Sequence, residues 1–307
     1  HARPQKKHFR TRAHSNVLNA NDFWYPANPD EVPTHEYFPA LAPQGSGREI
    51  EMVDIGCGYG SLLIELARVF PTSLMLGIEI RPKVVEYVQR KALALRHEAR
   101  DPEAAAAAAA NAATAAATNP DSAGARHTHT VALDGSKLTY DNVWAVHNNA
   151  MRFLPNFFRK EQLSKLFFCF ADPHFKRKNH RKRIISPSLC AEYAYALKPC
   201  GLVYVITDVS ELMIWMVGHL DDSPLFERLD NDALRADPAV PALIRTDEGL
   251  KVTRNNGNMF IAVFRKRLDP LAPRAPPLPN DNVLAAAAAA DAGYTPQPGG
   301  ERRGMTW

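Results

Sequence analysis

The chain has 307 residues, a formal net charge of +4, 46% apolar residues and four cysteines. That length suits one large α/β domain with decorations, and the ordinary apolar fraction excludes a chain too polar to bury a core. No uncharged apolar stretch reaches about 18 residues and no signal-peptide pattern is visible, so neither a membrane span nor a secretory leader is expected. The charge is unevenly spread: Arg3, Lys6, Lys7, Arg10 and Arg12 all precede the first acid, Asp22. Residues 1–48 therefore read as a basic arm, flexible or draped, that faces an anion.

A strand over Glu51–Ile55, the turn "GCGYG" and a helix over Ser61–Phe70 follow. A second strand is expected at Ser73–Ile80 and an amphipathic helix at Lys83–Arg96, whose Val84, Val85, Val88, Ala92 and Leu95 share a face. Residues 99–139 break the pattern with an alanine tract and then Asn, Pro, Ser and Gly. Alanine favours helix, but the segment has little to pack with, so it reads as an exposed insertion. The alternation resumes with a strand at Val143–Asn148, a helix at Met151–Gln162 and an apolar strand at Lys165–Phe170. Next come a helix at Ser186–Leu197, a strand at Leu202–Thr207 and a helix at Val209–Leu220. Leu250–Thr253 and Met259–Arg267 read as a hairpin across "NNGN". Residues 268–307, rich in Pro and then Ala, read as a disordered tail. Alternating strands and helices imply an α/β fold, a mostly parallel sheet covered on both faces, with the late hairpin adding an antiparallel edge strand. Cys57, Cys169, Cys190 and Cys200 show no CxxC or metal-ligand spacing and read as reduced thiols of an intracellular protein.

In such sheets ligands bind where strands end. The first strand ends in "DIGCGYG", Asp54–Gly60, whose Gly56, Gly58 and Gly60 permit a tight turn and close ligand approach. A dinucleotide fold would show GxGxxG and would avoid an acid beside pyrophosphate. Asp54 instead suits a ligand carrying an ammonium or sulfonium, and S-adenosylmethionine carries both. Glu79, at the second strand's end, is placed to accept from both ribose hydroxyls, although an ion pair with Arg81 is the plainer alternative. Asn149 and Ala150, after the third strand, are positioned to lie over an adenine.

The fourth strand ends in "CFADPHFKRKNHRKRII", Cys169–Ile185, where six of the eight residues Lys176–Arg183 are Lys or Arg. "DPHF" resembles the (D/N)PP(Y/F) element of amino-methyltransferases, in which a polar side chain holds the nucleophile's edge and an aromatic stacks on the base. Asp172 and Phe175 fit those roles, and the basic run fits an anionic backbone. The alternatives are a solvated loop or a nuclear import signal.

"RAHSN" (Arg12–Asn16), "DIGCGYG", "LGIEIRPKV", "NNAMRFLPNFF", "FADPHFKRKNHRKRIISP", "AEYAYALKPCG", "VYVITDV" and "TDEGLKV" together resemble the eukaryotic tRNA (guanine-N7-)-methyltransferases, over roughly residues 10–98 and 140–267. The resemblance implies a Rossmann-like class I methyltransferase domain over residues 49–267, with a mostly parallel seven-stranded sheet. It implies S-adenosylmethionine as cofactor and guanosine 46 of the tRNA variable loop as target. By motif it assigns Gly56, Cys57, Gly58, Glu79, Ile80, Arg81, Asn149, Ala150, Cys169, Thr246 and Glu248 to the cofactor and Asp172 to catalysis. His174, Phe175, Lys176, Arg177, Lys178, Arg181, Lys182 and Arg183 are the expected RNA contacts. A WD-repeat β-propeller subunit is the implied partner, the nucleus the implied location, and no metal is implied. Two positions depart from the family: Ala171 where proline is usual, which leaves that loop less rigid, and Ser61 where a further glycine is common. The residues alone also admit an exocyclic amino-methyltransferase or a non-catalytic tRNA-binding module.

Overall fold

The structure is a computed structural model that describes residues 3–11, 17–18, 23–118, 129–273, 278 and 284–286. Arg12–Asn16 of the "RAHSN" motif, residues 119–128 of the expected insertion and most of the expected tail lie outside the described residues. In chain order the elements are α1 (Thr34–Tyr37), β1 (Met52–Ile55), α2 (Ser61–Val69), β2 (Met75–Glu79), α3 (Pro82–Arg100), α4 (Pro102–Thr118), β3 (Val143–His147), α5 (Ala150–Phe157), β4 (Leu163–Cys169), α6 (Pro187–Ala196), β5 (Leu197–Thr207), α7 (Ser210–Asp222), β6 (Phe226–Arg228), α8 (Asn231–Ala236), α9 (Val240–Ile244), α10 (Asp247–Arg254), β7 (Met259–Lys266) and β8 (Leu284–Ala286).

The strands form one sheet in the order β3-β2-β1-β4-β5-β7-β6, with β8 pairing β7 beside that path. Pairing is parallel from β3 through β5, and β7 runs antiparallel to β5 and β6. Because side chains alternate across a strand, the central strands feed two cores. Val53, Leu76, Ile78, Leu166, Phe168, Val203 and Val205 point to one face, which α5, α6 and α7 cover with Leu154, Tyr193 and Met216. Met52, Met75, Phe167, Tyr204 and Ile206 point to the other, covered by Leu63 of α2, Val88 of α3 and Leu243 of α9. These strands are apolar on both faces for this reason. β1 lies between β2 and β4, with Met52 opposite both Met75 and Lys165. The chain leaves β1 and β4 in opposite senses, and that reversal opens a crevice at their carboxyl ends.

Leu250–Thr253 is helix, not the expected strand. Thr246 caps α10, its Oγ1 accepting from Gly249 N at 3.1 Å, and Asp247 and Glu248 occupy the first turn, where acids favour a helix. "NNGN" ends that helix: Asn256 has φ 52° and Gly257 N donates to Val252 O. β7 pairs instead with β5 and β6. α5 stops at Phe157, five residues before the expected Gln162, whose own side chain accepts from Arg159 N and closes the turn. Leu154, Phe157 and Phe158 are core, and Phe153 stacks on Tyr25 at 4.1 Å. The alanine tract is helix α4, begun by Asp101 Oδ1 accepting from Glu103 N at 2.9 Å. The far end of the 99–139 stretch is packed: Ala132 and Leu138 are buried, Val131 bridges Lys137, and Tyr140 follows into the core. The basic arm is draped, with Phe9 buried edge-on against Tyr87 and Arg3 paired with Glu98.

Candidate active site

The loops after β1, β2, β3 and β4 and the turn before α10 enclose a cavity of about 630 Å³. Gly56, Cys57, Gly58, Glu79, Ile80, Arg81, Asn149, Ala150, Cys169, Thr246 and Glu248 all line it, as do Asp172, His174 and Lys182. The chain turns from β1 into α2 through three glycines at positive φ, 74° at Gly56, 51° at Gly58 and 69° at Gly60. A Cβ on Gly60 would stand 2.8 Å from Val88 Cγ1, so the loop sits tight against α3.

Asp54 is 2% exposed and its Oδ1 has no hydrogen-bond partner. Burial, reinforced by the Glu79 charge, pushes its carboxyl up to about 8. A buried acceptor facing a cavity fits a cationic ligand group that supplies the missing partner. Glu79, also buried, accepts from Gly58 N at 3.1 Å and from Arg81 N, Nε and Nη2 at 2.9, 2.9 and 3.0 Å. The pairing with Arg81 is thus present, and the two backbone donors fix the carboxylate toward the cavity. Burial foremost, with Asp54 adding to it, raises the thiols of Cys57 and Cys169 well above their usual range. They stay protonated and line the cavity as apolar surface, not as nucleophiles. The Asn149 side chain is committed on both sides, Oδ1 capping Met151 N at 3.1 Å and Nδ2 donating to Val17 O at 2.6 Å. Those two bonds fix the orientation of the amide at the cavity wall and leave it one further N–H and one oxygen lone pair.

Asp172 stands just beyond β4, its side chain 31% exposed. Phe170 and His174 on either side adopt φ 50° and 46°, a region that side-chain-bearing residues rarely occupy. His174 N donates to Asp172 Oδ1 at 3.4 Å and its Nδ1 lies 3.8 Å from Oδ2, so this expected RNA contact is a neighbour of the carboxylate. Lys176, Arg177, Lys178 and Arg181 are exposed, and Phe175, 65% exposed, stands outside the cavity lining. Arg183 is the exception and the correction. It is 2% exposed, donates from Nε to Pro173 O at 2.9 Å, pairs with Glu211 and lies 4.7 Å over the Trp215 ring. Such a side chain is unavailable to RNA.

Sequence reasoning missed Lys6, Asp208 and Asp247 of the lining. Asp247 sits inside "TDEG": its N donates to Ser61 Oγ at 2.8 Å and its carboxylate binds Lys6. Ser61, one of the two departures, therefore ties the glycine loop to the turn before α10. Only the position of Asp247 between two recognised residues signalled it. Among the described residues no group of three or more His, Cys, Asp or Glu is placed to hold a metal ion, and no helix is long and apolar enough to cross a membrane.

The family described as "Putative methyltransferase" matches residues 48–119 and 122–262, and a ligand cavity at the β1–β4 crevice of a mostly parallel sheet is in keeping with a Rossmann-like methyltransferase. The chain is 46% identical over 270 residues to a tRNA (guanine-N(7)-)-methyltransferase of Caenorhabditis briggsae, covering 87% of this chain and 90% of that one. It is 45% identical over 269 residues to one of Brugia malayi (87% and 89% covered) and 41% identical over 298 residues to one of Aspergillus oryzae (87% and 89%). The chain belongs to the tRNA (guanine-N(7)-)-methyltransferase family.

Proposed function

We propose that this chain is the catalytic subunit that methylates guanine N7 at position 46 of the tRNA variable loop, using the cavity between the ends of β1 and β4. Methylation of tRNA guanine N7 with S-adenosylmethionine is the activity of the family to which it belongs. One observation carries the site assignment: a single cavity joins Asp54, a buried carboxyl with an unpartnered oxygen, to Asp172 at the end of β4.

S-adenosylmethionine, when bound, supplies an electrophilic methyl group. Asp54 would hold its ammonium, and Glu79 would accept from the ribose hydroxyls, exchanging its bonds with the Arg81 side chain while Gly58 N and Arg81 N keep it oriented. Ile80 and Ala150 would form apolar walls for the adenine. Thr246, Asp247 and Glu248 close the cavity from the α10 side. Guanine N7 has a lone pair and no proton to lose, so Asp172 need not act as a base. It would accept from guanine N1–H and N2–H₂, fix the ring, and stabilise the positive charge that guanine acquires. N7 lies on the major-groove edge, so a base engaged in tertiary pairing must swing out to present it. Lys176, Arg177, Lys178, Arg181 and Lys182 would meet phosphates, with Phe175 as a stacking surface beside them. A WD-repeat β-propeller subunit would support tRNA binding, and the nucleus is the proposed location. Both rest on the family resemblance, and the basic run is compatible with nuclear import.

The test is labelled methyl transfer to unmodified tRNA, with and without the propeller subunit, followed by borohydride–aniline cleavage. Cleavage at position 46 is the expected outcome. Methyl incorporation without cleavage would place the methyl on an exocyclic amine and overturn the N7 assignment. Equal activity without the propeller would remove the partner from the proposal.

A further inference from the structure

We propose that Arg183 is a positioning residue for methyl transfer, which holds the Asp172–Pro173–His174 turn in its reactive geometry. The proposal rests on Asp172 being the residue that holds the guanine.

Arg183 closes a run of cations, yet it alone of the six is buried. Burying a guanidinium is costly unless its donors are satisfied and its charge is paired. Three contacts meet that cost: Nε donates to Pro173 O at 2.9 Å, Nη2 meets Glu211 Oε1, and the plane lies 4.7 Å from the Trp215 ring centroid. Trp215 is itself held by its Nε1 donating to Ile185 O at 2.8 Å, and Tyr193 OH donates to Ile184 O at 2.7 Å. The segment after Arg183 is therefore fastened to α6 and α7, and Arg183 passes that fastening back across ten residues to Pro173. His180 Nε2 lies 3.8 Å from the same Glu211 oxygen.

Pro173 is where such a grip matters. Its carbonyl belongs to the peptide joining Asp172's neighbour to His174, one of two non-glycine residues in the loop at positive φ. A side-chain-bearing residue held there is strained and persists only where its surroundings enforce it. A planar five-donor group bridges a carbonyl, a carboxylate and an aromatic face at once, and lysine has neither the fork nor the plane.

The experiment is a double-mutant cycle on the full chain, with kcat, KM and S-adenosylhomocysteine affinity measured for Arg183→Gln, Asp172→Asn and the double variant. Arg183→Gln should lower kcat about 10²-fold, the scale of an ångström-sized misplacement, and leave S-adenosylhomocysteine affinity within about twofold. Arg183→Lys should remain slow. In the Asp172→Asn background the Arg183 substitution should add little, because the group it positions has gone. Full additivity, or a loss of S-adenosylhomocysteine affinity matching the loss of kcat, overturns the proposal. If Arg183→Gln does not fold, Glu211→Gln, which keeps the volume and removes the charge, is run through the same cycle and read by the same criteria. A normal rate for Asp172→Asn would instead refute the catalytic assignment of Asp172, an outcome separate from these.

Discussion

Asp54 should make cofactor binding depend on pH. Its carboxyl is pushed up to about 8 by burial and by the Glu79 charge, from an ordinary 3.8. The folded state thus keeps a proton that the unfolded chain has lost, so stability is full below 3.8 and falls as pH rises toward 8, by about 1.4 kcal/mol per unit. A bound ammonium reverses the preference and requires the ionised form. With a free-state value of about 8, the ionised fraction is about 1% at pH 6 and about 9% at pH 7, so affinity should rise about ninefold over that unit. Binding at pH 7 should release about 0.9 proton, and the gain should fade as the ligand's own amine titrates near its ordinary range of about 8. The neighbouring Cys57 and Cys169 thiols are raised too far to titrate in this window. The assay is titration calorimetry with S-adenosylhomocysteine in two buffers of different ionisation heat, at pH 6 and 7. This ligand carries the ammonium but not the sulfonium, so it should show the whole effect. Asp54→Asn should bind more weakly, abolish the pH slope and, without ligand, melt higher than the parent at pH 8. Flat affinity between pH 6 and 7 with no buffer-dependent heat would refute the pairing of Asp54 with the ammonium.

Asp172→Asn should lower kcat about 10²–10³-fold, the loss typical of a charge-stabilising group, with S-adenosylhomocysteine affinity nearly unchanged; equal losses in both would remove Asp172 from the reaction. Gly60→Ala places a Cβ 2.8 Å from Val88 Cγ1 at φ 69°, so thermal melting should drop by several degrees, at about 2–4 °C per kcal/mol; an unchanged midpoint would mean the loop is not tight against α3. If Lys176, Arg177, Lys178, Arg181 and Lys182 all meet phosphates, tRNA affinity should fall with salt at a log–log slope of about −3.5. Each alanine substitution among them should reduce that slope by about 0.7, whereas Arg183→Gln should leave it unaltered.

The sheet was legible because β1, β2, β4 and β5 are short apolar runs separated by helical periodicity, and parallel strands buried on both faces demand that pattern. That the residues after β1 and β2 would share one cavity was legible for a related reason. These residues lie where strands end, and Gly56–Gly60 and Glu79 carry local signatures there. What failed was non-local. Leu250–Thr253 reads as a strand if β7 is assumed to need a sequence neighbour, but β7 pairs with β5, which precedes it by more than fifty residues. The capping pattern Thr246-Asp247-Glu248 before it was a helix signal that the assumed hairpin overrode. Ala132 and Leu138 were lost in the 99–139 stretch because one isolated bridge, Val131 to Lys137, has no periodicity. Arg183 was misassigned because a run of like charges hides which member turns inward; only the fold brings Trp215 and Glu211 beneath it.

The charges divide the labour of the site in a way that separates binding from chemistry. Four cations line the cavity too: Arg81, Lys6 and Lys251 are each paired with an acid of the same lining, Glu79, Asp247 and Glu248, and Lys182 is the fourth. The lining therefore holds six acids, Asp54, Glu79, Asp172, Asp208, Asp247 and Glu248, against those four cations. Methyl transfer does not alter the ammonium that Asp54 would hold, so that interaction is equal in ground and transition states and contributes to affinity alone. The reaction does move positive charge onto the guanine ring, which in the proposed arrangement Asp172 would face and Asp54 would not. An interaction that strengthens along the reaction coordinate lowers the barrier, and one that stays constant does not. Two carboxylates in one cavity should for this reason fail differently when neutralised, Asp54→Asn through KM for the cofactor and Asp172→Asn through kcat.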